Sequence, residues 1–137
     1  MPHLVVLYTA NLDAESDIAA LCRSLADAML AIRDEVDRPV FPTGGVRVLA
    51  YPATHSAIAD GRDDYAFVYL NLRMGRGRSD AVHRRVGDRL TTVANAHFAP
   101  LLASRPLGLT LQIDEGSETF DAKLGNLHAR FGAQRPC

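Results

Sequence analysis

Residues 65–79, YAFVYLNLRMGRGRS, contain the signals that decide the fold: an apolar segment, a glycine turn and a serine. Residues 65–74 are rich in aromatic and aliphatic side chains, which is typical of a strand buried on both faces. Gly75 and Gly77 then predict a turn. Ser79 is a good N-cap, so this stretch predicts a strand that leads directly into a helix.

The region after Ser79 completes a β-α-β unit. Apolar residues recur at three- and four-residue steps from Val82 to about Ala103, which is the spacing of an amphipathic helix. From Leu107 to Ile113, leucine and isoleucine alternate with polar residues or glycine, as in a strand with one buried face. Since the helix is long enough for a crossover, the two strands of the unit are predicted to be parallel.

The first half of the chain has the same order of elements. Residues 3–8, HLVVLY, predict a strand, residues 18–34 an amphipathic helix, and residues 46–51, VRVLAY, a second strand. Aligning Leu4 with Ala66 superimposes strand on strand and helix on helix, which indicates a weak internal duplication. A tail then carries four apolar residues at helical spacing, Phe120, Leu124, Leu127 and Phe131.

These elements predict an α+β fold in which two β-α-β units form one four-stranded sheet with both helices on one face. A chain of 137 residues has the length of one domain, so residues 1–137 are interpreted as a single domain. The other face of the sheet has no helix to cover it, although the strands at 3–8 and 65–74 are apolar on both faces. Another copy of the chain is the simplest cover for that face.

Composition and charge argue against several classes of partner. Fifteen Lys and Arg balance sixteen Asp and Glu, whereas a nucleic-acid partner normally requires a basic surface. No apolar run approaches the ~20 residues of a membrane span. Cys22 and Cys137 cannot build a disulfide framework, and the N-terminus lacks the basic region of a signal peptide. We therefore expect a cytoplasmic protein with no nucleic-acid or membrane partner.

Several familiar catalytic and metal motifs are missing from the sequence. It contains no G-x-S-x-G, no C-x-x-C and no H-E-x-x-H. The five histidines are scattered without the spacing of metal ligands, so no metal site is expected.

Two arginines occupy positions where a charge needs an explanation. Arg78 lies in the turn before the second helix, whose N-terminus favours an anion, and guanidinium groups bind carboxylates through paired hydrogen bonds. Arg47 stands between two valines in a strand. The alternatives are a solvent-exposed turn for Arg78 and a solvent-facing charge on an edge strand for Arg47.

Pro2 becomes a candidate base if Met1 is removed. An N-terminal proline is a secondary amine, and α-amino groups have pKa values of about 7.7–8.0 before perturbation. Nearby arginine charges and burial both lower that pKa. The result would be a base that titrates near neutrality and suits proton abstraction. The alternative is that Met-Pro is merely a common beginning of a chain.

Sequence blocks along nearly the whole chain resemble a known family. They are Met1-Pro2-His3, Gly45-Val46-Arg47, Ala59-Asp60-Gly61, Asp64-Tyr65-Ala66-Phe67-Val68, Gly75-x-Gly77-Arg78-Ser79, His97-Phe98-Ala99 and Lys123-x-x-Asn126-x-His128-Ala129-x-Phe131. Together they resemble the tautomerase superfamily, and most closely its 5-carboxymethyl-2-hydroxymuconate isomerase branch.

The resemblance implies a homotrimer of β-α-β repeats, with Pro2 as the general base and with Arg47 and Arg78 as substrate-binding residues. It implies an isomerase that shifts a double bond in 5-carboxymethyl-2-hydroxymuconate, or in a similar unsaturated carboxylated 2-hydroxy acid, during homoprotocatechuate catabolism. No cofactor and no metal are expected, because a vinylogous enol is already acidic.

Two alternatives stay open at this point. The segment from 31 to 43 is longer than the resemblance leads us to expect, which leaves the exact substrate open. A related activity, such as dehalogenation or hydration of an unsaturated acid, is also compatible with the sequence. The β-α-β-β-α-β order also suits a ferredoxin-like ligand-binding or regulatory module without catalysis. Such a module predicts no role for a free N-terminal nitrogen.

Overall fold

The structure is a computed structural model that describes residues 2–134, the last two as backbone only. Met1 and Cys137, which enter the sequence predictions, lie outside the described residues. The main elements are β1 (His3–Thr9), α1 (Ile18–Ala31), β2 (Arg47–Ala53), β3 (Ala66–Met74), α2 (Asp80–Leu102) and β4 (Leu107–Glu115). Among residues 2–134, no helix is both long and apolar enough to cross a membrane.

The four strands form one mixed sheet in the order β2-β1-β3-β4. β1 pairs with β2 in parallel, and β3 pairs with β4 in parallel, which confirms the two predicted β-α-β units. The central pair, β1 and β3, is antiparallel. Because of this arrangement, the C-terminal end of β3 lies at the same end of the sheet as the first residues of β1 and β2.

The core lies between one sheet face and the two helices. Alternate residues of β1 and β3 point into it, as the period of a strand requires. The helices contribute one stripe each. The largest fully buried side chains include Leu4, Leu70 and Leu72 from the sheet, Leu21, Leu25 and Met29 from α1, and Leu90 and Phe98 from α2.

The opposite sheet face, called the outer face below, is uncovered as predicted. Val5 and Leu7 lie beside Leu49 and Tyr51 in the β1–β2 ladder. Leu7, Leu49 and Tyr51 remain 44%, 47% and 49% exposed. A contiguous apolar surface of this kind on a folded chain marks a contact site.

Helix α1 ends earlier than its apolar periodicity predicts, at Ala31 instead of residue 34. Ile32 is buried but has an extended backbone, and Arg33 pairs with Pro39 in an isolated bridge. Ile32 continues the helical spacing in the sequence, but in the structure it anchors the loop that follows α1. Strand β2 also begins one residue later than predicted, at Arg47.

The helical spacing in the tail was misleading. A short 3-10 segment at His128–Gln134 is the helical structure described there, and Phe120 and Leu124 are 84% and 96% exposed. Gly125 has a φ of 140°, which lies outside helical geometry. An amphipathic stripe forms a stable helix only where an apolar surface receives it, and Phe120 and Leu124 are not packed on such a surface in the single chain.

Candidate active site at the start of the sheet

Three basic side chains lie side by side where β1 begins. His3 pairs with Arg47 of β2 on one side and with Arg73 of β3 on the other. Directly paired residues in a ladder point to the same face of a sheet. All three therefore lie on the outer face, at the end of the sheet where the N-terminus is located.

Pro2 immediately precedes this row and is buried. Continuing the ladders by one residue places it beside Val46 and Met74. Met74 is 2% exposed, and Val46 is partly buried against the core. The surroundings of residue 2 are therefore apolar on the inner side and cationic on the outer side.

Arg47 is partly buried and weakly held. Its Nη1 donates to the carbonyl oxygen of Gly45 at 3.4 Å. No ion pair of Arg47 is found among residues 2–134. Most of its donors therefore remain available for a ligand.

A cavity of about 270 Å³ opens beside Arg47 at this end of the sheet. Its wall combines strand residues with part of the tail. The basic lining residues are His3, Arg47, Arg73, Lys123 and His128, and the acidic ones are Glu118 and Asp121. Volume and charge suit a small carboxylate.

The acidic groups of the cavity are already paired with two of its cations. Arg73 Nη2 lies 3.7 Å from Glu118 Oε1, and both side chains are about half exposed. Lys123 is paired with Asp121. Exposed pairs of this kind contribute only about 0–1 kcal/mol, so a bound anion can compete with them.

The tail reaches the cavity because Gly44 has no side chain. A Cβ at Gly44 would lie 3.0 Å from the Cα of His128. Arg76 fixes the beginning of the tail, since its Nε donates to the carbonyl oxygen of Gly116 at 2.8 Å. Gly116 N in turn donates to Met74 O at 2.9 Å.

The pKa of His3 is lowered by its surroundings. Burial lowers the pKa of His3 most, and the positive charge of Arg47 lowers it further. Arg73 acts in the same direction, whereas Asp121 raises the pKa. The net potential at the start of β1 therefore disfavours an additional positive charge.

Arg78 lies in the turn after β3, at the same end of the sheet. Its Nη2 donates to the carbonyl oxygen of Val40 at 2.6 Å. Ser79 caps α2 as predicted, because its Oγ accepts a hydrogen bond from Val82 N at 3.2 Å. Neither Arg78 nor Pro2 lines the cavity itself.

Among the residues of this site, the sequence patterns do not single out His3, Arg73 or the tail. Side chains alternate between the two faces along a strand. Arg73 therefore lies on the same face as Tyr69 and Asn71, and the orientation of β3 shows that this is the outer face. Nothing local to the tail indicates its contact with Gly44. Among residues 2–134, no group of three or more His, Cys, Asp or Glu side chains is arranged to hold a metal ion.

Comparison with known proteins identifies close relatives. The sequence model of the 5-carboxymethyl-2-hydroxymuconate isomerase family matches residues 2–131. A 5-carboxymethyl-2-hydroxymuconate Delta-isomerase of Escherichia coli is 33% identical over 131 residues, which cover 96% of this chain and 99% of the relative.

Two solved structures are similar throughout. A crystal structure of a 5-carboxymethyl-2-hydroxymuconate delta-isomerase is 61% identical, with a TM-score of 0.92 and coverage of 96% of this chain and 93% of the other. A 5-carboxymethyl-2-hydroxymuconate isomerase from Deinococcus radiodurans R1 is 41% identical, with a TM-score of 0.84 and coverage of 95% and 93%.

A more distant structure, a "fused 4-OT wild type symmetric trimer", is 19% identical with a TM-score of 0.55 and coverage of 93% and 98%. It shares the fold alone.

Proposed function

The chain belongs to the 5-carboxymethyl-2-hydroxymuconate isomerase family, and on that premise we propose which of its residues carry the reaction. The protein is an isomerase with the tautomerase fold. Its substrate is 5-carboxymethyl-2-hydroxymuconate or a closely related unsaturated 2-hydroxy acid. Such a substrate carries several carboxylates on a conjugated enol, so the site must bind anions and move one proton.

Pro2 is the general base of the proposed mechanism. Its nitrogen, freed by removal of Met1, takes a proton from the 2-hydroxyl or dienol system of the substrate. It then returns the proton to a carbon further along the conjugated system of the same substrate. The double bond shifts and no atom is gained or lost. The burial of Pro2 and the positive charge of Arg47 beside the next residue support this role, because both effects favour a neutral amine at this position.

Arg47 binds a substrate carboxylate at the cavity wall. Its partial burial strengthens a charge-assisted hydrogen bond, and its donors are largely uncommitted. Arg73, on the other side of His3, adds a second cation to the same wall. The row of two arginines next to Pro2 is the observation that carries the proposal.

Arg78 binds or stabilises a second part of the substrate. Guanidinium has five N–H donors, and the bond to Val40 O uses a single nitrogen of the three. Charge that develops on the enol oxygen during proton transfer is stabilised most by donors that are already in position. Arg47 lies at the start of β2 and Arg78 in the turn after β3, at the same end of the sheet, which suits a substrate with separated anionic groups.

The active form is a homotrimer in which the outer faces of the sheets pack together. The exposed Leu7, Leu49 and Tyr51 support this assembly, and a distant relative of the same fold is described as a symmetric trimer. In an assembly of this kind the apolar surface becomes core.

The substrate is tested with a panel of acids followed by ultraviolet absorbance. We expect turnover of 5-carboxymethyl-2-hydroxymuconate, slower turnover of 2-hydroxymuconate without the carboxymethyl group, and no halide release from halo-acrylates. Faster dehalogenation or hydration than isomerisation would contradict the proposed substrate class. The same panel gives no signal at all for a binding module without catalysis.

A further inference from the structure

The segment between α1 and β2, residues 32–41, forms an ordered loop against the start of α2. Ile32, Val40 and Phe41 anchor it, since they are 6%, 1% and 4% exposed. Within the loop, Asp34 Oδ1 accepts hydrogen bonds from Val36 N and Arg38 N, both at 3.0 Å. The loop is therefore held both by the core and by its own turn.

Hydrogen bonds join this loop to the region around Arg78 at three places. Arg78 Nη2 donates to the carbonyl oxygen of Val40 at 2.6 Å. Ser79 Oγ donates to Glu35 Oε2 at 2.6 Å. Further along, on α2, Arg85 Nη1 donates to the carbonyl oxygen of Arg33 at 2.7 Å.

Glu35 supplies the anion that the N-terminus of α2 favours. Its carboxylate lies at the capping serine, where the helix dipole and the unpaired N–H groups stabilise negative charge. Ser79 uses its hydroxyl proton for Glu35 and accepts from Val82 N, so both of its hydrogen-bonding roles are used. The hydrogen bond from Ser79 also lowers the pKa of the Glu35 carboxyl.

We infer that loop 32–41 positions Arg78 for the substrate, with Glu35 as the positioning residue that holds the turn through Ser79. The inference rests on the proposed function, in which Arg78 contacts the substrate. Val40 O fixes one side of the guanidinium, and the buried side chain of Val40 fixes that carbonyl. Glu35 holds the side chain of the next residue, Ser79, so contacts with the loop restrain both the guanidinium of Arg78 and the residue that follows it.

A restrained arginine binds an anion with less loss of conformational freedom. Arginine side chains otherwise lose considerable rotamer entropy when they are fixed. The loop supplies that order before the substrate arrives. This gives the segment from 31 to 43 a role at the site, although its charged residues do not line the cavity.

The first test compares single variants by kcat/KM in the isomerase assay. We expect Glu35→Ala to lower kcat/KM about three- to fivefold, the effect of an exposed charged contact. Glu35→Gln retains an acceptor for Ser79 and recovers most of the activity. Asp37→Asn is the matched control: it removes the same charge from an exposed position in the same loop, and asparagine tolerates its φ of 62°.

The second test repeats the substitution in an Arg78→Ala background. If Glu35 acts through Arg78, Glu35→Ala has no further effect there. An equal loss in both backgrounds would mean a general structural role and would overturn the inference. Melting temperature and circular dichroism are recorded for each variant, and a loss of activity that follows the melting temperature also counts against it.

The variants distinguish an error in the proposed role of Arg78 from an error in the role of Glu35. If Arg78→Ala leaves kcat/KM unchanged, the proposed role of Arg78 is wrong and the inference fails with it. If Arg78→Ala lowers kcat/KM but Glu35→Ala does not, only the inference fails. An equal loss in Glu35→Ala and Asp37→Asn would show that the charge of the loop matters and the contact with Ser79 does not.

Discussion

His3 and Arg47 are direct partners in the parallel ladder between β1 and β2. This pairing places a permanent positive charge beside the residue that follows Pro2. Burial and this charge both act against protonation at the start of β1, and the pKa of His3 is lowered accordingly. The charge of Arg47 therefore acts on ionisable groups at the start of β1, and the imidazole of His3 responds to it.

Replacing Arg47 should raise the pKa of His3. In the native protein we expect His3 to titrate below its ordinary value of about 6.5, and in Arg47→Gln we expect a higher midpoint, because one depressing charge is gone. Burial and the charge of Arg73 remain in this variant, so the midpoint should stay below the ordinary value of histidine. Nuclear magnetic resonance titration of the imidazole measures both midpoints, and an unchanged midpoint would remove Arg47 from the electrostatics of this site.

The lowered pKa of His3 also makes the stability of the fold depend on pH. A histidine with a lowered folded-state pKa is protonated first in the unfolded chain. The contribution of His3 to the free energy of unfolding is therefore complete above about pH 6.5, and it is lost as the pH falls through the folded-state pKa. Denaturant unfolding of the native protein and His3→Asn should differ most in their pH dependence below that value.

Arg47→Ala and Arg78→Ala should each reduce catalysis without unfolding the protein. A hydrogen bond to a charged group contributes about 1.5–3 kcal/mol, which corresponds to roughly one to two decades in kcat/KM. Steady-state kinetics and circular dichroism test this expectation. Unchanged kinetics in both variants would leave these arginines as solvent-facing charges.

Glu118→Gln should tighten substrate binding. Glu118 is paired with Arg73 on the cavity wall, 3.7 Å away and half exposed. Removing its charge frees Arg73 and reduces repulsion of an anionic substrate, so we expect KM to fall about two- to fivefold. Asp88→Asn, on the exposed surface of α2, is the control for loss of one negative charge. A KM that rises, or that falls equally in both variants, would contradict a substrate-binding role for Arg73.

Leu49→Asp should disrupt a trimer built on the outer face. Leu49 is 47% exposed in the single chain, and a buried aspartate without a partner is strongly unfavourable. Light scattering of the native protein should give three times the chain mass of 14.9 kDa, with smaller species for the variant. Asn95→Asp, on the exposed surface of α2, should remain trimeric. A monomeric native protein at micromolar concentration would contradict the assembly.

The sequence predicted the main strands and helices, and the parallel pairing within each β-α-β unit, because their signals are local. The apolar run at 65–74 and the cap at Ser79 specify a strand and the start of α2, and each crossover helix makes its two strands parallel. The end of α1 was predicted three residues late because Ile32 continues the helical period while serving as a loop anchor. Periodicity does not distinguish these two uses of a buried residue.

The site was only partly predictable because its assembly is non-local. Arg47 and Arg78 stand out in sequence as charges in unexpected positions. The row formed by His3 and Arg73 depends on the antiparallel register of β1 and β3, which no local pattern specifies. The contact of Glu35 with Ser79 joins two residues 44 positions apart. The tail residues of the cavity wall lie almost entirely outside helical structure, so the helical spacing of the tail could not indicate them.

The central claim, that Pro2 is the catalytic base, is tested most directly by one protein in two forms. One form begins at Pro2 and the other retains a residue or tag before it, each verified by intact mass. In the blocked form the Pro2 nitrogen is a tertiary amide with no basic lone pair. We predict that blocking lowers kcat/KM by at least about 10²-fold. The processed form should gain activity with rising pH through an ionisation below the ordinary α-amino range of about 7.7–8.0. Equal activity of the two forms would contradict the account and exclude Pro2 from the mechanism.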